Sequence, residues 1–135
     1  MTKLLLDTNV LIYAIDEDSK YFAKAHSLFF GQFDLYTTFK NISEFLSVIT
    51  RIPNPLTLRD ALKAVEDFSN HLTILYPNEQ TFRLYKELIL KYKPVGLQIH
   101  DFEIISTAIT HNINTIVTFN EKDFVKVREI KLFNI

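Results

Sequence analysis

Cysteine is absent from the chain. That removes disulfides, thiolate nucleophiles and Cys-ligated zinc, and it fits a reducing compartment. Glycine is nearly absent: Gly31 and Gly96 are the only two in 135 residues. Neither a G-x-G-x-x-G turn nor a Walker-type phosphate loop can be assembled from so few, which excludes dinucleotide and P-loop chemistry. No apolar run approaches the roughly 20 residues of a membrane span. Met1-Thr2-Lys3 lead straight into a strand pattern, leaving no room for a signal peptide. A cytoplasmic protein with no membrane attachment is the expectation. A surplus of basic charge is missing too. Fifteen Lys and Arg stand against sixteen Asp and Glu, a net charge of −1, whereas a binder of duplex DNA is usually clearly basic. A nuclease escapes that exclusion, because cations held by its carboxylates offset charge where phosphate must approach. The histidines, His26, His71, His100 and His111, are scattered and have no zinc spacing. No G-x-S-x-G motif supports a serine triad.

What is present is a core. Apolar residues make up 47% of the chain and charged residues 23%, with twelve Phe and six Tyr. That composition reads as globular, and the length suits one domain over residues 1–135. Strand patterns fall at 3–7, 34–37, 72–75, 114–118 and 130–133. Helical patterns fall at 9–16, 19–30, 40–51, 57–70, 78–92 and 101–112, with a short helical turn at 121–126. Ile42, Phe45, Leu46 and Ile49 form one helical stripe, and Phe82, Tyr85, Ile89 and Tyr92 another. Pro53 and Pro55 stiffen the connection after the 40–51 helix. Strands alternating with helices predict an α/β fold: a mainly parallel sheet of about five strands, flanked by helices on both faces.

The chemistry-bearing residues begin at Leu4-Leu5-Leu6-Asp7-Thr8-Asn9-Val10-Leu11-Ile12. An apolar strand runs into a polar turn and then a helix, placing Asp7 at the carboxyl end of the strand, where ligands bind in open α/β sheets. Asp7 fits a helix N-cap equally well, but an enclosed carboxylate needs a partner. Glu44 lies about 200° around its helix from Ile42, so it is either solvated or faces a cleft. Asp101 opens a helix that is apolar nearly all round, hence buried; it is either a cap or an acid converging on Asp7. Asn120 and Asp123 have capping-box spacing, or Asp123 is a fourth acid supported by Asn120, with Thr118 orienting a carboxylate from the strand end. His100, beside Asp101, reads as a local hydrogen-bond partner rather than a ligand. Hard divalent cations favour such oxygen donors, and metal-assisted phosphodiester hydrolysis is the chemistry that follows.

In order and spacing, Leu5–Ile12, Glu44, Ile99-His100-Asp101 and Val117–Phe124 resemble the PIN-domain nucleases, and the chain length is similar to that of the VapC-type toxins of toxin–antitoxin systems. The resemblance implies a single PIN-like domain. It implies an acidic quartet of Asp7, Glu44, Asp101 and Asp123, with Thr8, Asn9, Thr118 and Asn120 in support. Either Asn120 or Asp123 stands nearer the cation. It further implies Mg²⁺ or Mn²⁺, an RNA substrate, homodimers, and inhibition by a small cognate antitoxin. Lys40, Arg51, Lys91, Lys93 and Lys122 are candidates for RNA backbone contact, and the 53–59 connection a candidate border of the substrate groove. Two other readings share the fold class. A non-catalytic RNA-binding or protein-interaction domain would need no metal. A receiver-like phosphoacceptor would need an aspartate on a central strand, which the strand ending at Tyr76-Pro77 does not provide.

Overall fold

A computed structural model describes residues 1–135. Five strands form one sheet: β1 (Thr2–Leu6), β2 (Phe33–Thr38), β3 (Thr73–Leu75), β4 (Thr115–Val117) and β5 (Lys131–Leu132). They are ordered β3-β2-β1-β4-β5, and every pairing is parallel. Six helices connect them: α1 (Thr8–Tyr13), α2 (Phe22–Ser27), α3 (Phe39–Ile49), α4 (Leu58–Ser69), α5 (Glu79–Tyr92) and α6 (Gln98–Thr110).

The period of two along β1 divides the core. Leu4 and Leu6 point into a cluster with Val10, Ala25, Phe45 and Phe68, contributed by α1 to α4. Leu5 points the other way, into a cluster with Leu88, Phe102, Ile105 and Ile116, contributed by α5, α6 and β4. Each fully buried Leu contributes about 1.5–3 kcal/mol. A one-residue slip of β1 would exchange its two faces, so the alternation fixes where Asp7 emerges. The chain leaves β1 toward β2 and β3 on one side and returns to place β4 and β5 on the other. The order therefore reverses between β1 and β4, and the crevice beyond their carboxyl ends is the usual ligand position in such sheets.

Several boundaries differ from the sequence expectation. The 19–30 helix is shorter, with α2 ending at Ser27 and continuing as a 3₁₀ turn over Leu28–Phe30. The 121–126 turn is a three-residue 3₁₀ segment, Glu121–Asp123. Helix α6 starts at Gln98, three residues early, so Asp101 sits inside its first turn and caps nothing; Leu97 holds the cap position without a side-chain bond. Phe82 is 60% exposed. The buried line of α5 passes instead through Thr81 and Leu88, with Leu84, Tyr85 and Tyr92 packed beside them. Thr81 takes the inward position because its hydroxyl meets the Thr110 hydroxyl of α6 at 2.8 Å, a polar contact that hydrophobic periodicity does not register. No helix is long and apolar enough to cross a membrane.

Candidate active site

Asp7 follows β1 directly and is 8% exposed. Its backbone N–H donates to Val117 O of β4 at 3.0 Å, continuing the ladder by one residue. Cap and site coincide here: Oδ1 accepts from Thr8 N at 2.8 Å, capping α1, and from Asn41 Nδ2 at 3.2 Å. Oδ2 accepts from Thr118 Oγ1 at 2.8 Å. Three of roughly four lone-pair directions of the carboxylate are thereby taken, and one remains for a further partner.

Thr118 links the two sides of the crevice. Besides donating to Asp7, its hydroxyl accepts from Asn9 Nδ2 and from Asn120 N, both at 3.1 Å. Asn9 Oδ1 accepts from Phe119 N at 3.1 Å. Asn120 Nδ2 donates to Asp123 Oδ2, and no capping box forms, because the Asn120 side chain caps nothing. Thr8, Asn9, Thr118 and Asn120 thus brace Asp7 and Asp123 in one connected network.

Glu44, Asp101 and Asp123 line a cleft of about 480 Å³ with Lys40, Arg51 and His100. Glu44 is half-buried, and its Oε1 is enclosed with no hydrogen-bond partner. Three of these carboxyl groups, Asp7, Glu44 and Asp101, lie above their ordinary range. Burial pushes the Asp101 carboxyl up to about 7, helped by the charges of Asp7, Asp123 and Glu44. Burial also raises Glu44, with Asp7 adding to it. Asp7 is raised by burial and by Asp123, against the opposing hydrogen bonds from Thr118, Thr8 and Asn41. Like charges held together in low dielectric produce this pattern. No three of the acidic and histidine side chains close into a ready-made metal cage; the group is an open acidic cleft.

The PIN domain family model matches residues 4–130. The chain belongs to the PIN domain family. It is 26% identical over 129 residues to Ribonuclease VapC1 of Haemophilus influenzae (strain R2866), covering 94% of this chain and 93% of that protein. Its fold is similar to that of VapBC2 from Rickettsia felis, solved bound to a DNA fragment from their promoter, with a TM-score of 0.77 at 21% identity and 99% of each chain covered. A toxin–antitoxin complex from Klebsiella pneumoniae gives a TM-score of 0.67 at 18% identity, over 97% of this chain and 96% of that one.

Some assignments in this PIN domain need correcting. His100 is a local hydrogen-bond partner, of Glu103: its Nδ1 lies 2.9 Å from Glu103 Oε2, which also meets Lys40 Nζ at 3.4 Å. A carboxylate only accepts, so the ring donates from Nδ1. Residues i and i+3 of a helix share a face and adjacent ones do not, and the earlier start of α6 puts His100 inside the helix. Among the basic candidates, only Lys40 and Arg51 line the cleft. Lys91 is held by Glu129 at 2.7 Å, Lys93 is the left-handed C-cap of α5, and Lys122 is exposed on the 3₁₀ turn. The 53–59 connection borders a separate groove with Ile15 and Asp16. Asn41 escaped sequence reasoning, although Thr38-x-x-Asn41 carries the spacing of a helix start.

Proposed function

We propose that this PIN domain is a divalent-metal-dependent endoribonuclease, the toxin of a toxin–antitoxin pair. The observation that carries the reading is the cleft lined by Glu44, Asp101 and Asp123, with Asp7 beside it at the end of β1, where burial and neighbouring negative charge raise the proton affinity of Asp7, Glu44 and Asp101. Such a cluster is poised to exchange protons for a cation. The residues fit Mg²⁺ or Mn²⁺. Every donor is a carboxylate oxygen, Glu44 Oε1 is buried without a partner, and an open set suits an ion that keeps several of its waters.

Asp7, Glu44, Asp101 and Asp123 would hold the ion. When bound, it would supply Lewis-acid polarisation of the scissile phosphate and lower the pKa of a nucleophilic water. The chain's own residues do the rest. Thr118, Thr8 and Asn41 fix the Asp7 carboxylate so that no reorientation is needed on binding. Asn120 holds Asp123 in place. Lys40 and Arg51 offer positive charge on the cleft wall to a phosphodiester backbone.

Ribonuclease VapC1 supports RNA as the substrate, and the toxin–antitoxin complex from Klebsiella pneumoniae supports a small antitoxin as partner. The cytoplasm, where RNA is translated, is the compartment such an activity requires. A homodimer draws support from the apolar groove between α3 and α5, where Phe39 and Phe82 are both more than half exposed; patches of this kind mark association surfaces. The test is RNA cleavage by the purified protein with and without EDTA, beside Asp7→Asn. Cleavage that needs free divalent ion, and falls at least a hundredfold in a folded Asp7→Asn, is expected. Cleavage indifferent to both would overturn the metal mechanism at this site, and no cleavage at all would favour the non-catalytic alternative.

A further inference from the structure

We infer that Asn41 is a positioning residue that sets Asp7 against Glu44 in the cation site, a role that rests on the nuclease reading above. Its amide is divided between two elements. Oδ1 accepts from Thr38 N at 3.2 Å and from Thr38 Oγ1 at 2.7 Å, completing the capping box of α3. Nδ2 donates to Asp7 Oδ1 at 3.2 Å and to Thr8 Oγ1 at 3.0 Å. The side chain is fully buried. Its orientation is forced, since a flipped amide would set its oxygen against the Asp7 carboxylate and its NH₂ against the Thr38 N–H.

The consequence reaches Glu44. Asn41 and Glu44 are three residues apart on α3, about 4.5 Å along its axis, on nearly the same face. The first helical turn of α3 is therefore bonded to the end of β1 through one amide, and the Glu44 carboxylate is carried on the next turn, directly beyond Asn41. A capping residue alone needs only an acceptor. This position also needs a donor, aimed at a buried carboxylate. Asparagine provides both within one short side chain; aspartate, of the same shape, provides only the first.

That difference makes Asn41→Asp the discriminating variant. It keeps an acceptor for Thr38 and adds negative charge near a helix N-terminus, which favours the cap. It replaces the donor to Asp7 with a repelling oxygen. Thermal unfolding in EDTA is compared for wild type, Asn41→Asp, Asp7→Asn and the double variant, in which the repulsion between carboxylates at positions 7 and 41 is removed. The expected result is that the Tm penalty of Asn41→Asp falls by at least half in the Asp7→Asn background. Should Asn41→Asp alone fail to fold, a folded double variant is the same rescue, and failure of both overturns the inference. Additive penalties overturn it as well, leaving Asn41 as a cap only. Kinetics in Mn²⁺ at 25 °C supply the second readout: kcat for RNA at least tenfold lower in folded Asn41→Asp, or in Asn41→Ser if the first variant is unfolded, with KM within twofold. A smaller kcat loss refutes the positioning role. If wild type cleaves no RNA, the nuclease reading fails, while the unfolding cycle still decides the Asn41–Asp7 coupling.

Discussion

Replacing Asp101 with asparagine should stabilise this protein while abolishing its activity, and the stabilisation should depend on pH. The carboxyl of Asp101 is pushed up to about 7, by burial first and then by Asp7, Asp123 and Glu44. In the unfolded chain it ionises near 3.8. Well below pH 3.8 both states hold the proton and the group contributes no difference. As pH rises from there to 7, the unfolded chain releases its proton while the folded protein keeps it, so stability falls; above 7 the penalty is complete. A shift of this size sets an upper limit of about 4 kcal/mol. The group keeps contact with solvent, and screening brings a realistic figure to about 2 kcal/mol. For a domain of this length that corresponds to roughly 6–10 °C in Tm. Asp101→Asn removes the charge and keeps the shape. In EDTA, its Tm should exceed wild type by about that margin at pH 8, and the gap should shrink to about a quarter of it at pH 4.5. Saturating Mn²⁺ should close it at pH 8 too, because the ion neutralises the repulsion only where the carboxylate is present. Differential scanning fluorimetry on the two proteins is sufficient. A gap that is absent at pH 8, or equal at both pH values, would refute a shared acidic site at Asp101.

Three other outcomes follow from the same geometry. Mn²⁺ added to the metal-free protein should raise Tm by linkage, about 2.7 kcal/mol at a hundred times its Kd; a flat titration would argue against a cation site. Thr118→Val removes a hydroxyl that bonds Asp7, Asn9 and Asn120; it should cost about 2 kcal/mol by leaving buried polar groups unpaired, together with most of the cleavage activity, checked by denaturant unfolding and RNA assay. Burial raises the Glu129 carboxyl, but hydrogen bonds from Lys91 and Tyr92 outweigh it and hold the group below its ordinary 4.5. Glu129→Gln should therefore lower Tm at pH 7, and the difference from wild type should vanish as pH falls below that value; a gap that persists in acid would mean the side chain acts by shape alone.

The fold was legible because its signals are local. Leu4-Leu5-Leu6 followed by Asp7-Thr8-Asn9 states a buried strand, its end and the next helix in nine consecutive residues with Val10, Leu11 and Ile12. The β-branched Thr115-Ile116-Val117 does the same for β4. The four acids could be named, but their alternatives could not be decided by pattern. Asp7 caps α1 and also bonds Asn41 and Thr118 beside the acidic cleft, a combination that either-or reasoning does not anticipate. Glu44 looked solvated by helical angle, because periodicity locates the core stripe and is silent about a second buried face formed by a polar cleft. Asn41 was invisible for a related reason: it interrupts no pattern, and its second partner lies 34 residues away. Lys91, a candidate for RNA contact, bonds Glu129, 38 residues away, and composition cannot foresee which carboxylate a lysine meets.

What sequence distance hides, the sheet order explains. Asp7 and Thr118 are 111 residues apart, yet they bond at 2.8 Å, because β1 and β4 are adjacent and parallel and both segments leave the sheet at the same end. Any strand order that separated β1 from β4 would break this contact and, with it, the bracing of Asp7 through Asn9 and Asn120. The cost of the arrangement is visible in the raised proton affinities of Asp7, Glu44 and Asp101: a core built only for stability would not gather carboxylates there. The two leucine-rich faces of the sheet supply the favourable burial against which that repulsion is set. The hydroxyls and amides around Asp7 then hold the acids in place without neutralising them. Burial and crowding keep protons on these acids that water would release, and a cation entering the cleft would displace them.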